Sequence, residues 1–280
     1  MSAPAPPIDL ASGTGARGPG YYPRLVRGQL RMSMLAALQY RLGFWTEGVL
    51  GIAWSALGMA PLLVAVEHLD VVAGWTAWEL VVLTGWFTLI SGLFGALIQP
   101  ALAESMNHIR RGTLDYVLLR PADALVLCLV TAFSPWRLVE ALGGLLLVIV
   151  GMVELGRMPA VVDVFAALGM GVAGIIALYA IGVLILCASF RAVQLQNLTY
   201  LMEATLDFAR WPAQVFRGSL RVLFTFLVPL AMMTTYPSEA LLGRLAGAAV
   251  FTALATSAGL MLVARLIWVR ALRGYTSASS

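Results

Sequence analysis

The sequence predicts an all-α, polytopic membrane protein, and three observations predict it. Hydrophobic residues make up 60% of the 280 and charged residues 11%, where a soluble domain carries about 25% charged residues. Six apolar runs of spanning length, or nearly so, alternate with short polar turns. The cations also sort to one side. With six crossings and a cytoplasmic N-terminus, Arg24, Arg27, Arg31, Arg41, Arg110, Arg111, Arg120, Arg265, Arg270 and Arg273 fall inside, and the clear outer turns hold only Arg157 and Arg244. That asymmetry fixes orientation. All 18 basic residues are Arg, and the net charge of +4 serves topology. No basic run interleaved with aromatics points to nucleic acid.

Residues 1–20 are rich in Pro, Gly, Ala and Ser and lack the apolar core of a signal peptide. They read as a disordered tail that stays on the protein. Tyr21–Tyr40 sets Leu25, Leu30, Met34, Leu35 and Leu38 among Arg24, Arg27 and Arg31 at near-helical spacing. This suits a helix lying in the cytoplasmic interface, its Arg toward lipid phosphates. Phe44–Val66 is the first expected span. Glu67, His68 and Asp70 make a polar turn, and Trp75 and Trp78 follow as an interfacial belt would. Leu80–Ile98 is the second span, ending at Gln99-Pro100.

The stretch Ala103–Ala124 is the most polar between two long apolar runs. Arg110, Arg111 and Arg120 place it on the cytoplasmic side. Gly112 suits a helix C-cap, Thr113 an N-cap and Pro121 a stop. Two short helical pieces joined at Gly112 follow, with Leu114, Val117 and Leu118 on one face of the second and Asp115 and Arg111 beside them. An Arg-rich loop can simply hold orientation, but an ordered amphipathic one is built to press against something in the cytoplasm.

Ala124–Pro135 is too short to cross and is expected to run along or dip into the inner leaflet. Arg137 and Glu140 are three apart and can pair on a helix face. The third span runs to about Val153, and Glu154, Arg157 and Pro159 make the second outer turn. Val161–Ala188 is the fourth span, with Gly169, Gly171, Gly174 and Gly182 allowing close helix contact. Arg191–Leu242 supports two arrangements. Either 192–216 lies at the interface and Leu220–Tyr236 is the fifth span, or 192–211 is the fifth span with its charged side inward. In the second case Pro212–Leu242 forms two half-helices broken at Pro229. Glu203, Asp207, Arg210, Gln214, Arg217 and Arg221 are spaced as one polar stripe, within which Asp207 and Arg210 can pair. Leu245–Trp268 is the last span, opening on Gly243 and Gly247, a weak packing signal.

The chain carries no phosphate-binding glycine loop, dinucleotide fingerprint, zinc-protease helix or serine-hydrolase elbow. His68 and His108 stand in different loops, and Cys128 and Cys187 each sit in an apolar segment. No metal site and no disulfide are expected. The first four spans hold no paired carboxylates, which an ion-coupled carrier usually shows. Energy is therefore expected from another polypeptide.

Four motifs carry a resemblance. They are Arg111-Gly112-Thr113-Leu114-Asp115 with Leu118-Leu119-Arg120-Pro121; Trp211-Pro212 with Phe216 and Leu220-Arg221; Thr225-Phe226 with Pro229 and Tyr236-Pro237; and Leu272-Arg273-Gly274-Tyr275 with Ser277-Ala278. In this order the chain resembles permease subunits of bacterial ATP-binding-cassette exporters of the ABC-2 class, in a single-domain, six-span subgroup. That subgroup usually has Tyr-Pro where this chain has Trp211-Pro212. The resemblance implies a single permease domain over 21–273, a tail over 274–280, and a multi-pass protein of the bacterial cytoplasmic membrane with both termini inside. It implies a dimer with itself or a sister permease, and cytoplasmic ATPase subunits that hold the ATP and magnesium. Loop 103–123 would carry the coupling helix, through Arg110, Arg111, Gly112, Leu114, Asp115, Leu118 and Arg120. It also implies a re-entrant helix pair before the last span, which favours the second arrangement of 192–242.

The expected function is thus a non-enzymatic export permease driven by a separate ATPase. The alternative is an ion-coupled or passive carrier with the polar stripe from Glu203 to Arg221 as its pathway, and Glu203, Asp207 and Arg210 are the candidate substrate-pathway residues. A membrane scaffold recruiting a cytoplasmic partner is a third reading.

Overall fold

The structure is a computed structural model. It describes residues 21–39, 71–72, 74–119, 123–129, 131–190, 208–215 and 230–273, with scattered positions between 46 and 57. Its elements in order are α1 (Tyr21–Gln39), β1 (Val71–Val72), β2 (Trp75–Thr76), α2 (Ala77–Leu97), α3 (Gln99–Arg110), α4 (Leu114–Leu118), α5 (Ala124–Leu129), α6 (Arg137–Glu154), α7 (Val161–Ser189), α8 (Leu230–Met233), α9 (Thr235–Leu241) and α10 (Gly247–Arg273). Two 3-10 turns, Phe208–Arg210 and Ala213–Val215, precede α8.

Among the described residues three helices are long and apolar enough to cross a membrane: Ala77–Arg110, Val161–Ser189 and Gly247–Arg273. They carry the second, fourth and sixth expected spans. In the place of the third, α6 has 18 residues, about 27 Å of helix, and includes Arg137, Glu140 and Glu154. Most of 44–66 and all of 192–207 lie outside the described residues. So do Pro229 and the 1–20 and 274–280 tails.

The fold is mostly helical, as predicted, with one small addition: β1 and β2 pair antiparallel, Val71 opposite Thr76 and Val72 opposite Trp75. Gly74, at the turn between them, has φ 87°, a conformation glycine adopts without Cβ strain. The helix that carries the second expected span continues past Gln99-Pro100. Ile98 donates to Phe94 O and accepts from Leu102 N, both at 2.9 Å, so helical bonds run through the step between α2 and α3. Pro100 has no N–H to give to Ala96 O, and that carbonyl instead accepts from Ser134 N at 2.9 Å. The 34 residues from Ala77 to Arg110 measure about 51 Å, against about 30 Å of hydrocarbon. The surplus is the polar helix α3.

At the centre, α2 is buried almost all round. Leu80, Val82, Leu83, Ile90, Ala96 and Phe94 are at most 2% exposed. Its hydroxyls are satisfied locally, Thr84 donating to Leu80 O at 2.8 Å and Thr88 to Thr84 O at 2.9 Å. Antiparallel α6 lies against it so closely that a Cβ on Gly92 would meet Ala141 N at 2.5 Å and one on Gly85 would meet Val148 N at 2.7 Å. On α7, Gly174 meets the Met232 backbone, Gly171 meets Trp86 and Gly182 meets Leu102, while Gly169 faces open space. Gly243 and Gly247 pack against nothing within 4 Å. Gly243 instead ends α9 with φ 67°, donating to Ala240 O at 2.9 Å while Arg244 donates to Glu239 O at 2.9 Å.

The short pieces α8 and α9 are buried along α7 and α2, with Met233, Thr235, Ser238 and Ala240 at most 2% exposed. By contrast, α10 presents Phe251, Leu254, Leu262 and Leu266 outward. α1 is helical as its periodicity predicts, with Arg24, Arg27, Arg31, Met32 and Leu35 exposed.

Candidate functional site: the loop at the end of α3 and its anchors

From α3 through Leu119 the polar loop folds as two helices about a tight turn. Gly112 takes φ 66°, its N–H donates to Ile109 O at 3.2 Å, and that of Thr113 donates to His108 O at 2.9 Å. This bond pair closes a helix on a left-handed residue, and glycine adopts that conformation without Cβ strain. The Thr113 hydroxyl lies 2.8 Å from His108 Nδ1, tying the turn back to α3. Glu104 lies 3.8 Å from His108 Nε2 and accepts from Asn107 Nδ2 at 3.3 Å.

Helix α4 divides its residues between two sides. Leu114 is 0% exposed and Val117 is 6% exposed, and both pack on Leu127 of α5, with Ile109, Phe190 and Leu272 around them. The chain itself therefore occupies the face expected to meet a partner. Tyr116 and Leu119 point the other way, 73% and 70% exposed, beside exposed Arg110 and Arg111. Asp115 is half-buried. Leu118 closes α4, and Arg120 lies outside the described residues.

Beneath the loop, α5 and the residues flanking it are bonded to three helices. Thr131, just past α5, donates to Ala101 O of α3 at 3.1 Å. Tyr179 Oη of α7 donates to Leu125 O at 3.1 Å. Asp123 caps α5, accepting from Leu125 N at 2.9 Å and Val126 N at 3.4 Å. The same carboxylate receives both arms of Arg265 from α10, Nη1 at 3.0 Å and Nη2 at 2.5 Å. Cys128 is buried here, which pushes its thiol up to about 11 and keeps it protonated. Asp123 is not marked by any local pattern. Arg265 carries one signal, an Arg inside an otherwise apolar run.

The opposite ends of the helices have their own clamp. Arg244 Nη1 lies 3.1 Å from Glu79 Oε1 and its guanidinium stacks 4.0 Å from the Trp75 ring centre. Glu79 Oε2 also accepts from Thr76 N at 3.0 Å. Glu239 accepts from Gln214 at 2.8 Å, and burial raises its carboxyl pKa against that bond and the Arg244 charge. Arg137 and Glu140 pair at 3.2 Å, as their spacing predicts.

Of the three expected pathway residues, Glu203 and Asp207 lie outside the described residues. Arg210 sits over the Phe87 ring, 5.0 Å from its centre, deep beside α2 and away from the loop. Between α7 and α10 runs an apolar cleft of about 520 Å³, with Val172, Ile176, Leu254 and Met261 along it and Arg265 at one end. Among the described residues no three His, Cys, Asp or Glu side chains converge on a metal position.

A family model described as ABC-2 family transporter protein matches residues 52–279. No curated protein and no solved structure matches the chain.

Proposed function

The chain belongs to the ABC-2 transporter family, the membrane permeases of ATP-binding-cassette transport, and from that premise we propose that it is an export permease driven by a separate ATPase. The ATPase docks on α4. The observation that carries this reading is the pair Tyr116 and Leu119, standing out of an ordered helix with Leu114 and Val117 braced beneath it. Two exposed apolar side chains flanked by Arg110 and Arg111 offer a small anchor with a charged rim, which suits a protein partner. Tyr116 and Leu119 join Arg110, Arg111, Gly112, Leu114, Asp115, Leu118 and Arg120 in the coupling element. Leu114 acts from within, by transmitting load to α5.

The permease works as a dimer with itself or a sister permease in the bacterial cytoplasmic membrane, with six spans and both termini inside. The amphipathic α1, with its exposed Arg and Met side chains, lies in the cytoplasmic interface. The short α8 and α9, buried against α7, belong to a re-entrant pair before the last span. ATP and magnesium are held by the partner ATPase subunits, and nucleic acid plays no part.

The test is ATPase stimulation in the co-purified complex. Charge reversal at Arg111 or Asp115, or Gly112→Val, leaves membrane insertion intact and uncouples stimulation. Gly112→Val strains a residue held at φ 66°. Unchanged stimulation in all three variants sinks the loop assignment. Proton-driven transport by the purified chain alone in liposomes would move the function to the carrier reading.

A further inference from the structure

We propose that the Asp123–Arg265 ion pair is the positioning link through which movement of the α3–α4 loop reaches α10; the proposal rests on the coupling role given above to that loop. Asp123 is rigidly continuous with α5, because its carboxylate accepts from Leu125 N and Val126 N. Four residues on from Asp123, Leu127 is the seat on which Leu114 and Val117 rest. A push on α4 therefore moves α5, and α5 carries Asp123 with it.

Arg265 lies 142 residues away in sequence and meets that carboxylate with two arms, at 3.0 and 2.5 Å. A two-pronged guanidinium–carboxylate pair fixes angle as well as distance. It transmits both pull and rotation, which a sliding apolar contact does not. The helix at the other end has room to respond. Beside it lies the cleft toward α7, and Phe251, Leu254, Leu262 and Leu266 face outward. On the α7 side, the Tyr179 bond to Leu125 O holds α5 as a pivot between the two helices. An ion pair set in the apolar run of α10 is a poor way to gain stability alone, since apolar side chains of similar size would serve as well.

The experiment uses the permease–ATPase complex in lipid nanodiscs. An environment-sensitive fluorophore is placed at Asn107→Cys on α3, outside the docking residues, or at Phe251→Cys on α10. Asn107 is half-buried and Phe251 exposed, whereas Cys128 and Cys187 are buried. The signal is read before and after trapping with ATP and vanadate. In the parent protein both reporters respond. Arg265→Gln reduces the Phe251 response at least fivefold and leaves the Asn107 response in place. Asp123→Asn does the same, although Asn still caps α5, so loss of the cap cannot explain the result. Arg265→Lys, which keeps the charge but not the fork, gives an intermediate response. A Phe251 response that persists in both neutral variants overturns the proposal, as does a parent protein in which Asn107 responds and Phe251 does not. Silence at Asn107 in the parent instead removes the coupling reading, and the link falls with it.

Discussion

Along α2 and α6 the chain packs backbone against backbone, whereas along α7 and α10 it leaves a cleft. At the first interface Gly85, Gly92, Gly144 and Gly151 admit the opposite helix so closely that any Cβ there meets main chain or a fixed side chain. In a membrane, where apolar burial drives little association, such contact is a main source of helix pairing. At the second interface Ala253 packs on Met170 and Ala177, and the polar and aromatic links are Ser257 Oγ donating to Ala173 O at 3.0 Å and Trp268 meeting Phe190 edge to face at 5.8 Å. The first pair is a frame that cannot yield without breaking contacts along its length. The second pair packs around that cleft, and its Arg265 reaches the carboxylate that caps α5.

The difference is open to attack by substitution, beginning at the frame. Gly144→Leu forces a side chain into Leu89 N and Gly85 O. Overpacking of this kind is expected to cost about 3 kcal/mol, seen as loss of monodisperse protein and a lowered melting midpoint in detergent. Its counterpart Gly169→Leu points into open space and should stay within about 0.5 kcal/mol of the parent. Equal losses at both sites would erase the contrast.

Next in size is Arg265→Gln. The pair is neither exposed nor fully buried, with side chains 36% and 26% exposed. Its loss should therefore cost about 1–2 kcal/mol, between the surface and buried limits, with a double-mutant cycle against Asp123→Asn recovering most of it as coupling. Ser257→Ala removes one hydrogen bond between α7 and α10 and should cost about 1 kcal/mol by the same melting assay. The smallest effect is a gain. Gly259→Ala lies in open space within α10 and should stabilise by about 0.5 kcal/mol through helix propensity.

Much of the frame's chemistry is visible in the chain. Gly85 and Gly92 are seven apart, and so are Gly144 and Gly151, a spacing that keeps small residues on one helix face. The left-handed break at Gly112 is also legible, because Thr and an apolar run follow it at once. The hairpin has a local signal as well, Val-Val and Trp-Thr on either side of a turn ending in Gly74. Other features carry no local mark. Nothing at Asp123 tells that its partner is 142 residues away. Amphipathic spacing shows that α4 has two faces, but not that Leu114 and Val117 serve the chain's own core while Tyr116 and Leu119 stand free of it. Gly243-x-x-x-Gly247 shows the converse: a packing pattern whose first glycine is used for a helix end. Spacing reports what a helix can do, and tertiary partners decide which use is made of it.

The most direct test is affinity purification of the tagged chain from its own membranes in mild detergent, with mass spectrometry of what accompanies it, for the parent and for Tyr116→Asp. An ATP-binding-cassette ATPase near one-to-one stoichiometry is expected with the parent, and its loss from the variant while the permease remains folded. A parent chain that comes down without any nucleotide-binding protein, under conditions that preserve other transporter complexes, would contradict an ATPase-driven permease.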